Sequence, residues 1–229
     1  MAVNDFHQVF QSLRSYDFGQ PPDALFQIEA LIRAGAAVSE EPALRQEIVA
    51  LLQSQAPFGA KQFACKVLWM LGSEQSVAVL RPLLAHPDIH VVEAACYAIS
   101  RSPGPDASTA LRNALGTAQG AVAVPIINLL GDRRDDAAVP ALKRMCADHD
   151  ANVAGSAAAA LGKIATAEAR AALFEHWGEP AADALLAAGR ELVLRSDFAA
   201  ARSTLDELVR RQPAAHIRRG AALDRKSVV

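Results

Sequence analysis

Aromatic residues are scarce in this chain: phenylalanine, tyrosine and tryptophan make up 5% of its 229 residues, although hydrophobic residues make up 52%. Much of the hydrophobic content is alanine, whose small side chain lets helices approach one another closely. This composition favours stacked helices over a single core built on bulky rings. No polar–apolar alternation long enough for a β-strand is present, so the sequence predicts an all-α protein.

Cysteine is scarcer still, and the spacing of the three cysteines excludes the usual cysteine chemistry. Cys65, Cys96 and Cys146 are far apart, form no CxxC pair and show no metal-ligand spacing. Each lies on an apolar helical stripe, so we expect small buried thiols in a reducing compartment.

Neither sign of charge is in strong excess, with 23 Lys and Arg against 25 Asp and Glu. This balance does not favour a polyanionic partner, so nucleic-acid binding is not expected. No apolar run approaches the roughly 18 residues of a membrane span, and Met1 to Gln11 lacks the pattern of a signal peptide. The sequence predicts a soluble cytoplasmic protein without membrane contact, although a piece of an exported protein would show the same N-terminus.

Catalytic motifs are absent as well. The sequence contains no glycine-rich phosphate loop and no GxSxG nucleophile elbow. His90 and Glu93, three residues apart at a predicted helix start, cannot supply a metal shell by themselves. We therefore expect no metal, no cofactor and no enzyme activity.

What the chain does contain is a repeated tetrad. Residues 69–72 return as 97–100, 128–131 and 159–162, at spacings of 28, 31 and 31 residues, and further steps of 31 reach 190–193 and 221–224. A period of about 30 residues with helical patterning predicts a right-handed α-solenoid of antiparallel helix pairs. The third place of every tetrad is a large aliphatic residue that we expect to form one apolar seam: Leu71, Ile99, Leu130, Leu161, Leu192 and Leu223.

The same periodicity predicts where the helices lie. Asp88 and Asp150 fit N-cap positions just before two of them. The second helices of the pairs are expected at about 58–71, 89–100, 120–131, 151–164, 180–194 and 214–224. The first helices are expected at about 74–85, 105–115, 135–147, 167–177 and 198–211, after N-terminal helices at 4–15, 22–34 and 42–54.

Two segments, residues 77–99 and 137–164, carry a family resemblance, and the second shows its pattern most closely. Val139-Pro140-Ala141-Leu142, followed by Asp150, Val153, Ala157 and Ala160-Leu161-Gly162, resembles HEAT-like repeats of the phycobilisome-lyase type, and the likeness covers roughly 42–195. It implies the fold, but such repeats serve lyases, hydroxylases, DNA glycosylases and scaffolds alike. The segment from Ser196 resembles part of a tetratricopeptide hairpin.

The predicted organisation has three parts in one continuous solenoid domain: capping helices at 1–41, the HEAT-like array at 42–195, and a last hairpin with a truncated helix at 196–229. An array that stops inside a unit is expected to be part of a larger bacterial protein. Its uncovered last face favours an end-to-end homodimer.

A candidate binding surface follows from the register of the tetrads. Positions three, six and ten places before the end of each tetrad share one face of the second helices, opposite the seam. We expect a protein partner or a neighbouring domain to bind there. Either the rings of Trp69 and Tyr97 are exposed anchors, or they pack against the neighbouring unit. The expected contact residues are Gln62, Lys66, Trp69, Glu93, Tyr97 and Asn128.

Two other functions remain open for this scaffold. One is an accessory subunit of a lyase-type enzyme, which holds a catalytic partner or a chromophore. The other is a HEAT-like DNA-lesion binder or glycosylase, which needs a basic face and tryptophans near the extruded nucleotide. The preferred function is a non-enzymatic protein-interaction scaffold.

Overall fold

Helices joined by short turns make up the part of the chain that the computed structural model describes. That part comprises residues 11, 13–17, 26, 28, 30, 41–71, 75–102, 104–211, 217, 220–222 and 224, and it contains no β-strand. The all-α fold class is confirmed. The helices are α1 (Glu41–Gln53), α2 (Phe58–Leu71), α3 (Gln75–Leu80), α4 (Ile89–Ile99), α5 (Pro105–Leu115), α6 (Ala123–Asp132), α7 (Val139–Met145), α8 (Ala151–Ile164), α9 (Ala167–Glu175), α10 (Glu179–Leu194) and α11 (Phe198–Arg210).

Both predicted N-caps are present. The carboxylate of Asp88 accepts a hydrogen bond from the backbone N–H of His90 at 2.9 Å, and that of Asp150 accepts from Asn152 at 2.8 Å. Each bond satisfies one of the N–H groups that a helix start leaves without a partner. α4 and α8 therefore begin within one residue of where the sequence places them.

Three predicted helices are shorter than expected because a 3₁₀ turn takes one end. The chain is 3₁₀-helical at Arg81–Ala85 after α3, at Gly120–Val122 before α6 and at Asp136–Ala138 before α7. Pro82 lacks the N–H that would continue the α-helical ladder of α3. Pro125 lies in the first turn of α6, where a missing N–H costs nothing.

The chain forms two compact units, residues 1–110 and 111–229. In the first unit α1 packs on α2, α2 on α4, and α4 on α3. In the second unit α6 packs on α8 and α8 on α10, while α7, α9 and α11 pack against these helices. Successive second helices thus contact each other directly within each unit, which is how a solenoid buries its core. The three-part division at 1–41, 42–195 and 196–229 stays a prediction.

The apolar seam is buried where the repeat is regular. Ile99, Leu130 and Leu161 are 0% exposed and Leu192 is 4% exposed. Leu71, at the end of α2, is half-buried. Leu223 lies outside the described residues, as do most of the predicted helices at 4–15 and 22–34. Most of the last repeat also lies outside them, so the homodimer that depends on it stays a prediction.

Glycine at the end of two tetrads lets the second helices touch. A Cβ built on Gly131 of α6 would lie 2.8 Å from Cα of Ala160 in α8, and one built on Gly162 of α8 would lie 2.6 Å from the carbonyl oxygen of Ala184 in α10. No side chain fits at either point. Glycine at these two tetrad ends therefore allows α8 to pack closely against α6 on one side and against α10 on the other.

Candidate functional site

The sequence-predicted site residues lie on second helices, in both units. Gln62 and Lys66 are exposed on α2, as are Glu93 on α4 and Asn128 on α6. Asn128 belongs to the second unit, whereas the other predicted residues belong to the first. We call Gln62, Lys66, Trp69, Glu93 and Tyr97 the α2–α4 face.

Two aromatic rings stack across this face. Trp69 of α2 and Tyr97 of α4 have ring centroids 5.0 Å apart and planes inclined by 16°. Tyr97 is 49% exposed, and Trp69 is half-buried. The two rings therefore pack against each other, which is one of the two arrangements that the sequence left open. Tyr97 nevertheless keeps about half of its surface exposed to solvent. The guanidinium carbon of Arg101 lies 4.9 Å from the Trp69 ring centroid, within the range of a cation–π contact.

A second ring pair joins the same two helices nearer their N-termini. The rings of Phe58 and His90 are 5.9 Å apart and inclined by 48°. The Nδ1 atom of His90 lies 3.4 Å from Oε2 of Glu93, one turn further along α4. Because Phe58 starts α2 and Trp69 lies three turns later, the two ring pairs mark the two ends of the α2–α4 face.

Between and beside these ring pairs runs a groove of about 510 Å³. This volume lies in the range of sites that hold a few side chains or a small ligand. The groove contains four of the five residues of the α2–α4 face; Trp69 contributes through its stack on Tyr97. Its lining is Tyr16, Phe58, Gly59, Gln62, Phe63, Cys65, Lys66, His90, Glu93, Ala94 and Tyr97.

Sequence reasoning missed part of this lining. Phe58 is four residues before Gln62 and so lies on the same helical face. Extending the series of predicted positions on α2 by one more turn toward the N-terminus would have included it. Tyr16 precedes the regular array, so no periodic signal points to it. The carboxylate of Asp17, next to Tyr16, accepts a hydrogen bond from the N–H of Gly59 at 3.4 Å and brings this segment to the start of α2.

The groove is suited to binding side chains. Burial raises the pKa of the Cys65 thiol to about 12, so at neutral pH it is protonated and a poor nucleophile. Within the described ranges, no group of three or more His, Cys, Asp or Glu residues is placed to hold a metal ion. The polar groups of the lining are two tyrosine hydroxyls, one amide, one imidazole, one amine and one carboxylate, and they lie among aromatic rings.

The second unit has its own contact between a guanidinium and aromatic rings. The guanidinium carbon of Arg211 lies 4.8 Å from the Phe174 ring centroid and 5.3 Å from that of Trp177. The same arginine donates from Nη1 to the carbonyl oxygen of Phe174 at 2.7 Å and from Nε to Oε1 of Glu207 at 2.9 Å. Here the guanidinium joins the end of α9 to α11 and serves packing between helices.

Nothing in the described residues forms a membrane-spanning helix, since none of their helices combines the length and the apolar character that crossing requires.

Solved structures of similar fold include an engineered protein that superposes with a TM-score of 0.50 at 19% identity, over 97% of this chain and 67% of that one. The complex of CpcE and CpcF of phycocyanin lyase from Nostoc sp. gives a TM-score of 0.49 at 16% identity, over 100% of this chain and 95% of that one. A designed armadillo repeat protein gives 0.45 at 17% identity, over 98% of this chain and 100% of that one.

Comparison with protein sequences gives the family. No curated protein matches the chain significantly. The model of the family described as HEAT repeats matches residues 45–124 and again residues 120–193, which together span most of the chain and include α2, α4, α6, α8 and nearly all of α10. The resemblance to HEAT-like repeats is thereby confirmed, and the chain belongs to the HEAT-repeat family.

Proposed function

We propose that this chain is a non-enzymatic protein-interaction module whose α2–α4 face docks a segment of a partner protein or of a neighbouring domain. The observation that carries the proposal is the stack of Trp69 and Tyr97 beside the groove, with Tyr97 49% exposed. Tyrosine, tryptophan and arginine are the residues that most often dominate binding energy at protein interfaces. Asn128, exposed on α6, is proposed as a contact of the second unit.

The stacked pair suits an anchor because its geometry exists before the partner arrives. Trp69 holds the Tyr97 ring on one side, so little side-chain freedom remains to be lost on binding. Tyr97 is half-exposed, and an aromatic side chain offers large apolar area with a polar tip. A partner side chain that covers this ring gains contact area without reordering the face.

The chemistry of the groove favours binding over catalysis. Its one thiol is protonated at neutral pH because burial raises the pKa of Cys65 to about 12. His90 and Glu93 face each other at 3.4 Å on an exposed helix start, a common surface arrangement. We therefore propose neither a reaction nor a cofactor for this face.

Free, largely buried thiols support the proposal of a reducing, cytoplasmic setting. Cys65 and Cys96 are buried and Cys146 is half-buried, all unpaired. A near-balanced total charge likewise supports a protein partner over nucleic acid.

The experiment is a selection of displayed random peptides on the full chain, followed by calorimetric titration of the selected peptides against variants. Tyr97→Ala and Lys66→Ala change the α2–α4 face, while Phe198→Ala truncates a ring of similar exposure, 48%, on α11 as the matched control. We expect Tyr97→Ala to weaken binding by about tenfold or more, as truncation of an interface anchor does.

The control should bind like the unchanged protein, and Tyr97→Ala should keep its helical circular dichroism, since the ring is half-exposed. Selected peptides that bind all three variants equally would place the interaction elsewhere and reject the α2–α4 face.

A further inference from the structure

The guanidinium of Arg101 is an exposed cation that lies over one ring of the aromatic stack. Its central carbon lies 4.9 Å from the Trp69 ring, and that ring lies 5.0 Å from Tyr97 at the edge of the groove. The side chain is exposed and makes no hydrogen bond or ion pair with any residue that the structure describes. Its five N–H donors are therefore available beside the proposed docking face.

The second unit shows what such a guanidinium takes as a partner in this protein. Arg211 also lies over aromatic rings, and its Nε donates to the carboxylate of Glu207 at 2.9 Å. That hydrogen bond, with the charges of Arg210 and Arg211, lowers the pKa of Glu207. The guanidinium over Phe174 thus has a carboxylate as a hydrogen-bond partner, whereas the guanidinium over Trp69 has none among the residues that the structure describes.

The charges around the groove favour an acidic ligand over a basic one. Lys66 is an exposed cation of the groove, and Arg101 adds a second cation beyond Trp69. The carboxylate of the groove, Glu93, already has His90 at 3.4 Å. A basic segment would meet the guanidinium of Arg101, and its cation would have to compete with His90 for Glu93.

We infer that Arg101 recognises a carboxylate of the docked segment, so that the partner of the α2–α4 face is an acidic peptide with an apolar or aromatic residue within about three positions of an aspartate or glutamate. The contacts set this upper limit: Arg101 and the Tyr97 ring lie at most about 10 Å apart, a distance that about three extended residues span. The apolar side chain enters the groove at Tyr97, and the carboxylate receives two parallel N–H donors from the guanidinium, the geometry that arginine offers and lysine does not. This inference rests on the proposed function.

The test uses four sets of capped synthetic peptides with a fixed phenylalanine and, three positions away, glutamate, glutamine, lysine or phosphoserine. Binding is followed by the fluorescence of Trp69 in a Trp177→Phe background, where it is the single tryptophan of the chain. Each set is titrated against the unchanged face and against Arg101→Gln, Arg101→Lys, Tyr97→Ala and Arg202→Gln, an exposed arginine of α11 that serves as the control.

We expect the glutamate set to bind about tenfold more tightly than the glutamine set. In Arg101→Gln the two sets should bind equally, Arg101→Lys should recover only part of the preference, and Arg202→Gln should leave it unchanged. Because the preference is a ratio measured on one folded variant, loss of folding cannot imitate its disappearance.

Other outcomes overturn the inference in distinguishable ways. Equal binding of all sets, lost in Tyr97→Ala, would keep the docking face but reject carboxylate recognition. A preference for lysine or for phosphoserine over glutamate would assign a different ligand, and a glutamate preference that survives Arg101→Gln would assign a different residue. Binding by none of the sets, on a protein that binds its selected peptides, would reject this inference and leave the proposed function standing.

Discussion

The contact between α8 and α10 makes a sharp prediction about Gly162. Alanine at this position would carry a Cβ 2.6 Å from the carbonyl oxygen of Ala184 and 3.2 Å from its carbonyl carbon and Cα. All three are backbone atoms of a helix, so no flexible side chain can move aside. α10 must shift as a body or α8 must rotate, and either change loosens the buried contact between the two helices.

Gly162→Ala should change the free energy of unfolding in the direction opposite to that of an ordinary glycine-to-alanine substitution. Replacing glycine by alanine inside a helix ordinarily stabilises a protein by about 0.5–1 kcal/mol, because it reduces the freedom of the unfolded chain. Forcing an extra methyl group into a packed interface costs about 1–3 kcal/mol. We therefore expect Gly162→Ala to lower the free energy of unfolding by about 1–2 kcal/mol.

The same helix supplies the control. A Cβ on Gly155 of α8 meets nothing within 4 Å. Gly155→Ala should thus raise the free energy of unfolding by about 0.5–1 kcal/mol. Urea denaturation followed by far-ultraviolet circular dichroism gives both values, with a lower midpoint for Gly162→Ala and a higher one for Gly155→Ala. Stabilisation by both substitutions would refute the close approach of α8 and α10.

Two further predictions concern a helix end and the buried thiols. Arg195 donates from Nη1 and Nη2 to the last carbonyl groups of α8 at 3.2 Å and 3.1 Å. Arg195→Gln should therefore lower the free energy of unfolding by about 1–2 kcal/mol in the same urea assay. An unchanged midpoint would show that these hydrogen bonds do not stabilise the packing of α8. Burial raises the pKa of Cys65 and of Cys96 from 9.0 to about 12, so their neutral thiols stabilise the fold fully below pH 9, and that contribution is lost as the pH rises toward 12. The free energy of unfolding should fall more steeply between pH 8 and 11 in the unchanged protein than in a Cys65→Ala, Cys96→Ala variant; equal slopes would contradict the burial of the thiols.

Repetition explains why so much of the fold was predictable. A period near 31 residues sets the same apolar face in every unit, so Leu130 and Leu161 are buried for the same reason. An acidic N-cap such as Asp88 marks a helix start by a purely local hydrogen bond. Helix-capping residues and a regular repeat spacing can both be recognised in a single sequence.

The parts that escaped prediction depend on distances between helices. The register places Trp69 and Tyr97 on one face, but whether their rings stack depends on the separation of α2 and α4, which the sequence does not display. Arg101 follows the end of α4, outside the helical register altogether. Tyr16 reaches the groove from the segment before the array, where periodicity offers no guide.

We propose that Tyr97 belongs to a binding face and contributes little to the core, and one variant tests both statements. Tyr97→Ala is measured for thermal unfolding and for affinity toward the peptides selected on the unchanged protein. We expect a midpoint within about 3 °C of the unchanged protein, as for a substitution of a half-exposed residue, together with an affinity reduced by about tenfold or more. Unchanged affinity, or a cooperative fold that is lost with the ring, would contradict the proposal.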